Sequence, residues 1–136
     1  MFSKKFICAG NEYCTYEKHI PSPYFKKVFT VNAPEKAELT ITGLGFYELY
    51  INGEKITKGL IAPYIANPDH YVYYDKYDIL PLLKQGENVM VVQLGNGIQN
   101  PLGGIIWDFD IASFRDIPRF AFALSLTENG ETDIIE

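Results

Sequence analysis

A chain of 136 residues, 47% apolar and 21% charged, suits one folded domain that needs neither metal nor disulfide to bury a core. Its net charge of −5 argues against electrostatic capture of nucleic acid, and Lys4-Lys5 and Lys26-Lys27 are too short to form basic patches. No run of about 18 apolar residues exists to cross a membrane, and no signal-peptide core follows the N-terminal lysines, so the expected location is the cytoplasm.

Aromatics are the departure from average: ten Tyr, nine Phe and one Trp make up 15%. Tyr and Phe fit pleated, half-buried surfaces, which points to a β-rich fold, and Tyr also suits sugar- and protein-binding faces. Without a secretory signal, Cys8 and Cys14 are expected as free thiols. Together with His19 they form no recognised metal-ligand spacing.

Residues 1–23 form a lead-in that ends in Ile20-Pro-Ser-Pro23, extended because each proline disfavours helix at the residue before it. The sandwich domain is expected over 24–136. Tyr24 to Asn32 predicts a strand, Ala33-Pro34-Glu35 a turn, and Lys36 to Thr42 a half-buried strand with Ala37, Leu39 and Ile41 on one face. Gly43-Leu-Gly45 predicts a break, after which Phe46 to Ile51 resumes with Tyr47, Leu49 and Ile51 on one side. Asn52-Gly53 is a type I′ hairpin signal, and Glu54 to Thr57 its returning strand.

Gly59 to Pro68 reads as a loop, and Tyr71 to Lys76 as another strand. Asp78 to Lys84 predicts one helical turn with Asp78 as its cap, and Gln85 to Asn88 a turn into the apolar strand Val89–Leu94. Gly95 to Gly104 is a glycine-rich loop. Phe120 to Thr127 alternates cleanly, Asn129-Gly130 is a second hairpin turn, and Thr132 to Ile135 starts its partner. The fold expected is an all-β antiparallel sandwich of roughly eight short strands.

Phe46-Tyr-Glu-Leu-Tyr-Ile-Asn-Gly53, Tyr77-Asp78-Ile79, Leu82-Leu83-Lys84-Gln-Gly86-Glu87-Asn88 and Leu94-Gly95-Asn96-Gly97 together resemble the N-terminal β-sandwich domain of bacterial α-L-rhamnosidases. Ser22-Pro-Tyr-Phe-Lys-Lys-Val-Phe29 and Gly43-Leu-Gly-Phe-Tyr47 add to the likeness, which covers about Ser22 to Leu126. The resemblance implies a jelly-roll-like, galactose-binding-domain-like antiparallel β-sandwich as an accessory domain beside an (α/α) barrel of the same polypeptide, which hydrolyses terminal α-L-rhamnose with inversion. Rhamnose-containing glycans or glycosides would be met through that parent enzyme. The acid and base of the reaction lie in the barrel, so this chain is expected to be non-catalytic: a scaffold and a carbohydrate-binding surface. A freestanding carbohydrate-binding module and a purely structural docking sandwich are the alternatives. The strand begun after Asn129-Gly130 favours a fragment of a longer protein. One departure is Ile98, where the family often carries Trp after Gly-Asn-Gly; the single tryptophan here is Trp107.

Inverting glycosidases hold two carboxyls roughly 6.5–9.5 Å apart. Asp108 and Asp110 on a strand would be about 7 Å apart, but many such pairs meet that spacing and solvated carboxylates are the plainer reading. With a backbone carbonyl, the same two residues are the one weak calcium candidate, and no other cofactor is expected. Asn67-Pro-Asp69-His70 has the composition of an Asx turn with a surface histidine. Gly95-Asn-Gly97 and Gly103-Gly104 lack the following helix and Lys of a phosphate cradle. The candidate sugar contacts are therefore Tyr64, Asn67, Asp69, Asn96, Gln99, Asn100 and Trp107, with Tyr71 and Tyr73 as further stacking faces.

Overall fold

The computed structural model describes residues 5–101 and 107–136. Lys4, Gly103 and Gly104 lie outside them. Two four-stranded antiparallel sheets face each other. One has the order β1-β6-β3-β4, from β1 (Tyr24–Val31), β6 (Gly86–Gly95), β3 (Phe46–Ile51) and β4 (Glu54–Lys55). The other has the order β5-β2-β7-β8, from β5 (Asp75–Asp78), β2 (Pro34–Leu44), β7 (Arg119–Glu128) and β8 (Glu131–Ile135). The all-β sandwich expected from the sequence is the fold.

Alternation sets the core. Leu39 and Ile41 of β2, Tyr47, Leu49 and Ile51 of β3, Val92 and Leu94 of β6, and Phe120, Phe122 and Leu124 of β7 are all buried between the sheets. Each such side chain contributes about 1.5–3 kcal/mol by leaving water. The outer row of β2 departs from expectation, because Thr40 and Thr42 are buried as well. Thr42 donates its hydroxyl to the Tyr73 carbonyl at 2.6 Å, so the segment ahead of β5 lies against that face.

Asn52 and Gly53 have φ of 51° and 87°, and Asn129 and Gly130 have 52° and 77°, the double positive φ that the two hairpin turns require. The break at Gly43-Leu-Gly45 falls late: β2 runs through Leu44 and stops at Gly45, φ +99°. A Cβ there would meet the Gly95 carbonyl at 2.4 Å, so glycine serves both the turn and the close approach. The helical turn is a 3-10 turn over Leu80–Leu82, and the Asp78 carboxylate accepts the Leu80 N–H at 3.1 Å.

The strand expected from Tyr71 to Lys76 is corrected to Asp75–Asp78. Its ladder with β2 begins at Ile41↔Asp75, and upstream of it Tyr71 packs edge-on against Tyr73 instead of continuing the pairing. The returning strand after Asn52-Gly53 likewise shortens to Glu54–Lys55. Beyond it, Ile56 still donates to the Leu49 carbonyl at 2.8 Å, and the chain then runs back along β3.

This topology gives the sandwich two unlike ends. The turns between β1 and β2, β3 and β4, β5 and β6, and β7 and β8 lie at one end. The other collects the lead-in, the β2–β3 bend and the long connections 56–74 and 96–118.

Candidate functional site at the loop end

The connection 56–74 is tied down at several points besides its ends. Tyr47 donates its N–H to the Ala62 carbonyl at 2.7 Å, across the cis Ala62-Pro63 bond from Pro63. Further on, Asn67 forms the Asx turn its sequence suggests: its side-chain oxygen accepts the Asp69 N–H at 3.0 Å, and its carbonyl accepts that of His70 at 3.0 Å. Asp69 then reaches the second connection, where its carboxylate accepts the Ser113 hydroxyl.

Between these anchors the loop turns its aromatics outward. Tyr64 is 84% exposed and meets Tyr73 edge-on at 6.3 Å, and Tyr73 meets Tyr71 at 5.4 Å. The Tyr71 phenol beside it raises the pKa of Tyr73. In the other loop Trp107 is 78% exposed, has φ of 65°, and packs edge-on against Phe109 at 5.7 Å. Leu60, Ile61, Ile65 and Ile111 are exposed on the same two connections.

The amides turn inward. Gln99 and Asn100 are 2% and 1% exposed. Asn100 accepts the Cys14 N–H at 2.9 Å and donates to the Asn96 side chain at 3.0 Å, and Asn96 in turn donates to the Ile20 carbonyl at 2.8 Å. Gln99 donates to the Phe114 carbonyl at 2.7 Å and accepts the Asp116 N–H on its own carbonyl. Of the seven sequence candidates, then, the structure leaves Tyr64, Asn67, Asp69 and Trp107 on the surface and commits Asn96, Gln99 and Asn100 to holding the loops and lead-in together. Gly97, φ +55°, lets the backbone lie on the Phe46 ring, where a Cβ would come within 3.0 Å. The Gly-Asn-Gly motif is thus a packing device.

Sequence reasoning missed Arg115. Its guanidinium donates to the Asp110 carbonyl at 2.9 Å and to the Cys14 carbonyl at 2.8 Å, and lies 5.1 Å from the Tyr13 ring centre. No local pattern announces a partner a hundred positions away. Among the described residues no three His, Cys, Asp or Glu are placed to hold a metal ion. Under the loops, lined by Gly43, Pro63 and Tyr71, lies a cavity of about 30 Å³, room for a water and not for a sugar ring.

One polar contact crosses the sandwich beneath this end. Buried Tyr47 of β3 donates its hydroxyl to Asp75 of β5 at 2.5 Å and lies 3.2 Å from the Tyr77 hydroxyl. Burial, reinforced by the Asp75 bond, pushes the Tyr47 phenol far above the ordinary tyrosine range. Desolvation raises Tyr77 as well.

These features define a jelly-roll-like β-sandwich module with a wide aromatic loop end. Residues 32–136 match the family model for the alpha-L-rhamnosidase N-terminal domain, and the chain belongs to that family. An alpha-L-rhamnosidase of Formosa agariphila is 38% identical over 95 residues, which span 69% of this chain and 10% of that protein. A second alpha-L-rhamnosidase from the same organism is 27% identical over 105 residues, 76% of this chain and 11% of its own length. The chain thus spans about a tenth of the curated relatives it matches. The structures of alpha-L-rhamnosidases from Aspergillus terreus and Dictyoglumus thermophilum each superimpose with a TM-score of 0.73 at 27% identity, covering 98% of this chain and 15% of theirs.

Proposed function

We propose that the chain is a non-catalytic accessory domain of a larger rhamnoside-cleaving glycoside hydrolase. It supports the (α/α) barrel of the same polypeptide and offers its loop end to rhamnose-containing glycans. The observation that carries this reading is the outward aromatics of the loop end, the Tyr64–Tyr73–Tyr71 cluster on one connection and Trp107 on the other, in a member of a family whose relatives are alpha-L-rhamnosidases. Aromatic faces stack on the apolar faces of sugar rings, and the Asn67 and Asp69 side chains at the same end supply acceptors for hydroxyls. Two free thiols, Cys8 and Cys14, suit the reducing cytoplasm.

Two measurements test it. The chain alone should release no chromophore from a nitrophenyl α-L-rhamnoside, whereas the parent enzyme should. Titration of the chain with L-rhamnose and rhamnosides, with and without calcium, should show weak binding that Tyr64→Ala and Trp107→Ala remove. Hydrolysis by the chain alone sinks the non-catalytic reading.

A second reading has its own support. Leu60, Ile61, Ile65 and Ile111 are aliphatic, exposed and at the same end, and contiguous apolar surface marks a face that meets protein. If no sugar binds at millimolar concentration, that end is a docking face alone.

A further inference from the structure

β1 is the open edge of its sheet. Among the described residues it pairs with β6 on one side only. Leu94 donates its N–H to the Pro23 carbonyl, and the register continues as Phe25↔Val92, Lys27↔Met90 and Phe29↔Asn88. By alternation, the peptide groups of Phe25, Lys27 and Phe29 bond β6, while those of Lys26, Val28 and Thr30 face the open side. Side chains alternate as well, and Phe25, Lys27, Phe29 and Val31 form the row that faces the core. Phe29 and Val31 are buried there, but Lys27 is exposed, because the sandwich is open beside it. Between the β1 edge and β7 lies a cleft of about 250 Å³, walled by Phe25, Lys27, Met90, Val92, Phe120 and Phe122 and completed by Ile7 and by Glu136, whose carboxylate pairs with Lys5 at 3.0 Å.

An exposed strand edge above an apolar cleft is a template for another strand. In its central antiparallel registers a second copy of β1 would set Lys26 against Lys26 or Lys27 against Lys27, which disfavours self-pairing. Glu136 is already paired with Lys5, so a wholly apolar strand would bury the Lys27 ammonium without a carboxylate of its own. Relatives of this chain are about tenfold longer than the segment they share with it, so a parent of that kind has polypeptide to contribute.

We propose that an extended strand of the parent polypeptide adds to the free edge of β1, drops alternate apolar side chains into the cleft and sets a carboxylate on Lys27. This rests on the reading that the chain is one domain of a larger rhamnosidase.

Amide hydrogen exchange on the 136-residue chain and on the full-length parent tests it. The Lys26, Val28 and Thr30 amides should exchange about 100-fold or more slower in the parent, while Phe25, Lys27 and Phe29 are slow in both. Lys27→Glu in the parent should return those three amides to the fast rate, and Lys27→Gln should do so only in part. Equal rates in the chain and in a rhamnoside-cleaving parent overturn the strand and leave the parent reading intact. A reading frame with no further polypeptide ends the parent reading and removes the proposed occupant with it. Protection that appears in the isolated chain together with dimers in sedimentation assigns the edge to a second copy, and overturns the proposal.

Discussion

The two ends of the sandwich close in different ways. At the hairpin end Asn52 donates to the Leu82 carbonyl and to Asn88, and accepts the Val89 N–H. Buried Asn88 meanwhile holds the Lys84 N–H and the carbonyls of Lys84 and Gly86. Two asparagines thus lock one turn to the next. At the loop end, Asn100 and Arg115 bind the lead-in at Cys14 and Asp69 clasps Ser113, while the aromatics between them face outward. One end spends its polar groups on closing strands, and the other on holding a surface open.

Substitutions can break this contrast. The largest effect is expected at the bend where the loop end begins: Gly45→Ala imposes a disfavoured φ and a clash with the Gly95 carbonyl, and should cost about 3 kcal/mol or more in urea unfolding. Next comes Asn88→Ala, which strands several buried partners and should lower global stability by about 2–3 kcal/mol. Asn100→Ala, its counterpart at the loop end, should cost about 1–2 kcal/mol, seen first as faster exchange of the Cys14 amide. If the two asparagines prove equal in both measurements, the ends do not differ in the way proposed.

Tyr47→Phe removes the bond that crosses the sandwich and should cost about 1 kcal/mol at pH 7. Its larger signature is at high pH. Folding raises the Tyr47 pKa, so above about pH 10 the unfolded chain loses that proton while the folded one keeps it. Wild-type stability should therefore fall by about 1.4 kcal/mol per pH unit from this group. Below the ordinary tyrosine pKa it contributes no pH dependence. The variant should show a shallower fall. The smallest effect on stability belongs to Tyr64→Ala, within about 0.5 kcal/mol, since the ring is mostly in solvent.

The hairpin end was legible because its signals are local. Asn52-Gly53 and Asn129-Gly130 state their turns in adjacent residues, and alternation in Phe46–Ile51 and Phe120–Thr127 states the core. The loop end was legible only in composition. Asn100 and Arg115 find Cys14 across 86 and 101 positions, and no periodicity encodes a pairing of that kind. Asn96, Gln99 and Asn100 read as sugar-facing amides because a glycine-rich loop is ordinarily exposed, whereas here the lead-in engages Asn96 and Asn100, and Phe114 and Asp116 engage Gln99. The Tyr71–Lys76 alternation misled for a related reason: the same tyrosines that favour a strand also favour packing on one another.

The attachment of the lead-in can be read out chemically. Cys14 is buried, and its Sγ accepts the Ile20 N–H at 3.3 Å, while Cys8 is exposed. A thiol reagent therefore meets one reactive sulfur in the closed molecule and two whenever residues 5–23 lift from the loop end. The slow second labelling step should accelerate in Asn100→Ala, which turns a pair of unremarkable cysteines into a clock for the lifting of the lead-in.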